Sequence, residues 1–276
     1  MRSDDSAAMP HPKPRSPRVV TALLFAAGYL VIMAAGWLAD PYDYGTVGNL
    51  FYQTPFLILA LLYTYWLIRR YHVPVARAGR RRAPGTLWIV IAILLLNAAG
   101  MVYPLVNGFN GRWVVIPAVF LATMMVGFAE EGMFRGFLIT SFARRMGISA
   151  ALVLSSAVFG LLHAVNILAH APLAGVIVQV VFTMFVGYVF ATVYLRSGGS
   201  IVMVAILHGF YDFFVFCQAY ATLRGGATLP LVSVLNLCAW VILAIALLIF
   251  SAGGLFRLPG TQSNPRDGPG AARGRD

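Results

Sequence analysis

Eight apolar runs of about twenty residues each dominate the sequence. They extend from Val19 to Leu38, Leu50 to Ile68, Leu87 to Leu105, Trp113 to Ala129, Ser149 to Ala169, Leu173 to Leu195, Ile201 to Tyr220 and Leu229 to Phe250. A helix that crosses a bilayer needs about 20 apolar residues, because hydrocarbon offers no partner to backbone polar groups. Only 11% of the residues are charged, against about 25% in a soluble domain. The sequence therefore predicts an all-α, polytopic integral membrane bundle of about eight transmembrane helices.

The basic residues indicate the orientation of this bundle, because Lys and Arg concentrate in cytoplasmic loops. With both termini inside, eighteen of the twenty basic residues are cytoplasmic, and only Arg112 and Arg224 lie outside. We therefore predict cytoplasmic N and C termini in the cytoplasmic membrane. This topology and the anionic lipid headgroups account for the net charge of +11, so we expect the lipid bilayer, and no nucleic acid, as its partner.

The chain divides into one transmembrane domain, residues 19–250, and two flanking segments. The segments 1–18 and 251–276 are rich in Pro, Gly, Arg and Ser and lack apolar periodicity. Such composition is typical of disordered segments, so we expect two cytoplasmic tails. The sequence shows no internal repeat and no second soluble domain, so any chemistry is expected inside the membrane.

Five acidic or histidine side chains lie inside the predicted helices, namely Glu130, Glu131, His163, His208 and Asp212. An ionisable residue within a span costs at least about 2.5 to 3.5 kcal/mol, so each one requires a partner or a function. At the rise of an α-helix, Glu130 and His163 lie about 22 and 21 Å from the cytoplasmic ends of their helices. We expect these side chains to converge on one cavity in the inner to middle membrane.

Helical spacing divides the acidic pair at Glu130 and Glu131 into two roles. Glu131 and Arg135 stand at i and i+4, so they can form an ion pair that lets both charges exist at low dielectric. Glu130 precedes this pair by one residue and points about 100° away from it. The spacing therefore leaves Glu130 free for chemistry.

The same spacing relates the other polar residues. His208 and Asp212 are four residues apart, so the carboxyl group can orient the imidazole, and Phe159 stands four residues before His163 and could wall the site. In a purely structural interpretation, these pairs only hold helices together. That interpretation leaves Glu130 and His163 without a role.

Three motifs on successive predicted helices carry a family resemblance. They are Glu-Glu-x-x-x-Arg at Glu130–Arg135, Phe-x-x-x-His at Phe159–His163 and His-x-x-x-Asp at His208–Asp212. In these motifs the sequence resembles the CAAX-protease and bacteriocin-processing family of membrane endopeptidases, also called the Abi family. The resemblance covers a core of about residues 113–220.

The resemblance implies an intramembrane endopeptidase that hydrolyses a peptide bond of a membrane-embedded, membrane-associated or prenylated-like peptide or protein. Glu130 would be the general base that activates water, and His163 would help to hold that water. His208 and Asp212 would face the developing oxyanion, while the Glu131–Arg135 ion pair would support the site.

One position departs from the family pattern. The best-characterised branch has Asn where this chain has Asp212, and an Asn amide can donate to an oxyanion, whereas an ionised carboxylate repels it. Either Asp212 is neutral or it orients His208 as a supporting carboxylate, and we favour the second.

A zinc ion is the alternative to a metal-free mechanism. His163, His208 and Glu130 would supply the three ligands of a catalytic zinc site. No His-Glu-x-x-His helix occurs in the sequence, so we expect a glutamate-type enzyme without a cofactor.

Two other functions remain compatible with a membrane bundle of this kind. A non-enzymatic immunity or scaffold protein would keep the fold and bind a peptide or partner, but it would not need an unpaired Glu in the membrane. A proton-coupled transporter would use Glu, His and Asp as a relay, but the sequence lacks the inverted repeats typical of such proteins.

Overall fold

The computed structural model describes residues 17–42, 46–75, 82–107, 115–169, 171–225 and 230–252, and these ranges contain helices and connections but no strand. The helices are α1 (Val19–Ala39), α2 (Val47–Arg70), α3 (Thr86–Asn107), α4 (Val115–Glu131), α5 (Ile139–Met146), α6 (Ile148–Leu162), α7 (Leu173–Arg196), α8 (Ile201–Gly225) and α9 (Pro230–Ala252). A π-helical segment, Gly132–Leu138, joins α4 to α5, and a 3-10 segment, His163–Ala169, follows α6. The predicted all-α class is confirmed.

The helices coincide with the predicted apolar runs to within a few residues. Five continuous helical stretches are long and apolar enough to cross a membrane, and they are Val19–Ala39, Gly48–Arg70, Val115–Met146, Ile148–Ala169 and Leu173–Arg196. Shorter apolar stretches occur in α3, α8 and α9. Trp113 and nearly all of the two predicted tails lie outside the described residues.

The outer surface of the bundle is apolar. Large hydrophobic side chains such as Leu24, Trp88 and Ile242 are more than half exposed. A surface of this kind is stable in lipid, where no burial of apolar groups from water is required. The structure is therefore that of a multi-pass membrane protein.

The helices form a ring around a central cavity. α4 packs against both α2 and α8, α6 packs against α7, and α7 continues the ring to α9. α1 closes it by contacting α2 and the 3-10 segment, while α3 packs against α8 and α9. The polar motifs lie on α4, α6 and α8, and all three helices face this cavity.

The π-helical segment lies between Glu130 and the cytoplasmic end of its helix, the stretch over which the depth of Glu130 was calculated. The described stretch is continuous from Val115 to Met146, but seven of its residues form wider π turns. Ser155 Oγ donates to the Phe134 carbonyl across 2.9 Å, so α6 supplies a hydrogen bond to this segment. Wider winding also means that a depth calculated with the α-helical rise does not hold across these residues.

Candidate active site

The structure brings the four predicted catalytic residues to one cavity of about 590 Å³. Glu130 comes from the end of α4, His163 from the first residue of the 3-10 segment, and His208 and Asp212 from α8. Phe159 also lines this cavity, as its spacing predicted. Most of the remaining lining is apolar, and the other polar side chains include the amides and threonine hydroxyls of Thr46, Asn49, Gln53, Thr123, Asn166, Gln179 and Thr183.

His208 lies at the centre of the polar cluster. Its Nδ1 is 2.7 Å from Glu131 Oε1, and since a carboxylate only accepts, the imidazole donates through Nδ1–H. Its Nε2 is 3.5 Å from Asp212 Oδ2 and 3.8 Å from Glu130 Oε2. The Phe190 ring stacks on the imidazole with centroids 5.1 Å apart. Nε2 is thus the nitrogen that remains available to a substrate.

This arrangement changes the role expected for Asp212. Helical spacing favoured Asp212 as the carboxylate that orients His208, but the short hydrogen bond to the imidazole comes from Glu131. Asp212 lies slightly beyond ordinary N–H···O distance. The contact between Glu131 and His208 joins α4 to α8, so no spacing rule within one helix could reveal it.

The predicted ion pair between Glu131 and Arg135 is present. Arg135 Nη1 lies 3.0 Å from Glu131 Oε1, and both side chains are fully buried. Arg135 Nη2 donates to the Gly187 carbonyl across 2.9 Å, and its guanidinium lies 4.3 Å from the centroid of the Phe159 ring. Arg135 therefore connects α4 to α6 and α7, and Glu131 Oε1 is shared between Arg135 and His208.

Glu130 and Glu131 each have one carboxylate oxygen without a hydrogen-bond partner among the described residues, but only Glu130 lines the cavity. The Glu130 side chain is 6% exposed, and its Oε2 makes no hydrogen bond to any described residue. A buried carboxylate oxygen without a partner is unusual and calls for a bound water, an ion or a chemical role. Glu130 is therefore positioned to bind a small molecule inside the cavity.

The end of α6 fixes the ring of His163. The backbone N–H of His163 bonds to the Gly160 carbonyl, so the change from α to 3-10 geometry releases the Phe159 carbonyl. His163 Nδ1 lies 3.0 Å from that carbonyl oxygen. A carbonyl only accepts, so Nδ1 carries the proton and Nε2 is the other binding atom of the ring. The sequence placed His163 within a helix and could not show the hydrogen bond between its ring and the Phe159 carbonyl.

A close crossing of α4 and α8 brings Glu130 near His208. A Cβ on Gly127 would lie 2.3 Å from the Ala205 carbonyl oxygen and 2.8 Å from the Gly209 nitrogen. Only a residue without a side chain permits this approach of two backbones, which is the usual function of small residues at membrane helix crossings. Gly127 was not identified from the sequence, although it lies one helical turn before Glu130.

Two further residues near the cavity were missed by the sequence. Tyr29 of α1 is fully buried, and its hydroxyl makes no hydrogen bond to a described residue. Asp40 follows the end of α1, where it is buried and accepts hydrogen bonds from Asn49 and Gln53, at 2.7 and 2.8 Å. The sequence signal for Asp40 was its place directly after an apolar run.

The proposed zinc ligands do not form a recognisable metal site. Within the described ranges, no three His, Cys, Asp or Glu side chains are arranged to hold one metal ion. His208 also commits Nδ1 to Glu131. No step below is therefore assigned to a metal, and the absence of a cofactor stays a prediction.

Comparison with known proteins identifies the core of the chain. Residues 112–214 match the family described as Rce1-like, type II CAAX prenyl endopeptidase. No curated protein matches the chain. The matched segment contains all three motifs and every polar residue of the cluster. The predicted family resemblance is confirmed over residues 112–214, which are similar to the Rce1-like family of type II CAAX prenyl endopeptidases.

Proposed function

We propose that this protein is an intramembrane endopeptidase of glutamate type, with Glu130 as the general base. The observation that carries the proposal is a buried Glu130 carboxylate with one unpartnered oxygen, in a cavity that also contains His163 and His208. The family match supports a CAAX-protease-type hydrolase. The proposed substrate is a membrane-associated peptide or protein, and the proposed location is the cytoplasmic membrane.

Hydrolysis requires that a water molecule lose a proton as it attacks the peptide carbonyl. Glu130 takes that proton. His163 Nε2 binds the same water and directs the lone pair of the water oxygen to the carbonyl carbon. The new C–O bond gives a tetrahedral intermediate. Glu130 then returns the proton to the amide nitrogen, the C–N bond breaks, and the products are a carboxylic acid and an amine.

The oxygen of the tetrahedral intermediate carries negative charge and needs a fixed donor. His208 provides Nε2–H in this proposal, and its ring is held by the Nδ1–H bond to Glu131 and the stack on Phe190. The cluster contains the carboxyl groups of Glu130, Glu131 and Asp212 and the guanidinium of Arg135. An imidazolium at His208 therefore brings the formal charge of the whole cluster nearer to neutral. A preorganised donor in a mostly apolar chamber is effective because water does not screen it.

The test compares variants in liposomes, using a substrate found as a peptide whose mass shifts between membranes with and without the protein. Glu130→Gln is expected to lower the cleavage rate by at least about 100-fold because general base catalysis is lost, and His163→Ala by about 100-fold because the attacking water is no longer positioned. Met33→Leu is the control, since Met33 lines the same cavity and the exchange conserves volume. Full cleavage by folded Glu130→Gln protein would refute Glu130 as the general base, whereas a wild-type phenotype of this variant without any cleavage would favour a scaffold.

A further inference from the structure

The cavity is strongly asymmetric along the helices that line it. α7 contributes residues between Gly175 and Val186 and none of the residues after Val186, and α2 contributes only residues up to Leu57. The part of α7 beyond Val186 extends over about 15 Å before it ends at Arg196. The cavity therefore occupies one half of the bundle and reaches the helix ends on that side.

The opposite half is closed by packing. Below Glu130, the side chains of Phe134, Arg135 and Phe137 are fully buried. None of these three side chains lines the cavity. The helix ends of this half are held together by the bonds from the Ala83 N–H to the Arg196 carbonyl and from the Ile201 N–H to the Val75 carbonyl.

The closed half carries the arginine-rich helix ends. The basic side chains at these ends are Arg18, Arg69, Arg70, Arg144, Arg145 and Arg196. The open half has a different chemistry, because its rim holds side-chain amides, two of which donate to the buried carboxylate of Asp40. Asn166 Nδ2 donates to Gln179 Oε1 across 2.9 Å, and Asn49 and Gln53 line the same mouth. Side-chain amides of this kind match the N–H and C=O groups of a peptide backbone.

We infer that the cavity opens on the extracytoplasmic side of the membrane and receives an apolar peptide segment whose scissile bond approaches from that side. Arginine-rich helix ends stay in the cytoplasm, so the closed half faces inward and the mouth at Trp37, Asn166 and Gly175 faces outward. The inference rests on the proposed function, because only an endopeptidase would treat this peptide segment as a substrate. With an outward-facing mouth, the expected substrates are exported peptides or the outer segments of membrane proteins. Proteins modified at a cytosolic C-terminus are not expected to be substrates.

Cysteine accessibility tests the inference without any substrate. Both native cysteines, Cys217 and Cys238, are replaced by Ala, and single cysteines are then introduced at four positions of the full chain. Thr183→Cys probes the cavity, and Gly175→Cys probes its mouth, where a Cβ meets nothing within 4 Å. Val181→Cys, on the same helix and 50% exposed, is the lipid-facing control, and Arg145→Cys marks the arginine-rich end. A charged, membrane-impermeant thiol reagent is applied to right-side-out and inside-out membrane vesicles.

Thr183→Cys and Gly175→Cys are expected to react at least about tenfold faster in right-side-out vesicles, because a charged reagent is excluded from hydrocarbon. Arg145→Cys should show the reverse preference, and Val181→Cys should react slowly from both sides. Faster reaction of either cavity cysteine in inside-out vesicles, or none at Gly175→Cys from either side, would overturn the inference.

The same measurement separates this inference from the proposed enzyme mechanism. Labelling depends only on the path of the reagent, so it can be repeated in the Glu130→Gln background, where the same side preference is expected. If Glu130→Gln retained cleavage while Thr183→Cys reacted from outside, the mechanism would fail and the orientation of the cavity would stand. A Thr183→Cys protein that does not fold leaves Gly175→Cys to decide the side.

Discussion

At the scale of single residues, the two carboxylates nearest His208 contact different nitrogens of its imidazole ring and at different distances. Glu131 accepts a 2.7 Å hydrogen bond from Nδ1 and is itself fixed by Arg135. Asp212 lies 3.5 Å from Nε2 and is more exposed than Glu131. The imidazole is therefore oriented by Glu131, and Asp212 stands beside the atom that would face an oxyanion.

Asp212→Asn is expected to retain at least about one-tenth of the wild-type cleavage rate, a change of less than about 1.4 kcal/mol in the barrier. The reason is that Glu131 continues to orient His208, while an amide next to Nε2 can donate to the oxyanion instead of repelling it. The cleavage rate of this variant in liposomes, set beside that of Glu130→Gln, provides the measurement. A loss as large as that of Glu130→Gln would show that Asp212 takes part as a carboxylate.

The sequence was sufficient to predict which residues form the cluster, but not all of the contacts that they make with one another. The pair of Glu131 and Arg135 follows from helical spacing, because both residues lie on one face near the end of α4. The bond between Glu131 and His208 joins residues 77 positions apart. A contact of that kind depends on how α4 crosses α8, and no local pattern contains this information.

At the scale of elements, apolar runs predicted the helices but not their irregular turns. The π segment and the 3-10 segment both occur beside functional residues, one directly after Glu131 and the other beginning at His163. Hydrogen bonds from neighbouring helices accompany the first, such as Thr64 Oγ1 to the Ala129 carbonyl at 3.1 Å and Ser155 Oγ to the Phe134 carbonyl. Composition alone carries no signal for such tertiary bonds.

Gly127→Ala is expected to weaken both stability and activity, because its Cβ would lie 2.3 Å from the Ala205 carbonyl oxygen. The backbones of α4 and α8 must move apart, at a cost of about 1 to 3 kcal/mol, as is usual for overpacking. The shift also separates Glu130 from His208. Thermal unfolding in detergent and the cleavage rate in liposomes measure the two effects.

Gly175→Ala is the matched control for that experiment. A Cβ at Gly175 meets no atom within 4 Å, and Gly175 also lies in a helix. This variant should lose no stability and is expected to gain up to about 1 kcal/mol from helix propensity. Equal behaviour of the two variants would contradict the view that the α4–α8 crossing requires glycine at position 127.

At the scale of the whole molecule, composition was sufficient to predict a helical membrane bundle, since eight apolar runs leave no other fold. The place of the cavity along the membrane normal was not predictable in the same way. The sequence placed the cluster in the inner to middle membrane, whereas the cavity extends from the cluster to Trp37 and Gly175 at the other end of the bundle. The end of the bundle to which the cavity extends depends on which halves of the helices lie apart. This is a property of tertiary packing.

The division between a lipid-facing surface and a packed interior gives a prediction for the whole bundle. Trp66 is 49% exposed on the outside of α2, whereas Trp240 of α9 is fully buried against the rings of Phe190 and Tyr211. Each is retained in turn as the single tryptophan, with the other four replaced by Phe, and its fluorescence is measured in bilayers containing brominated lipids. The Trp66 variant should be quenched several-fold more strongly, because bromine atoms on acyl chains reach only side chains at the lipid surface. Equal quenching of both variants would contradict the helix arrangement, since Trp240 would then also face lipid.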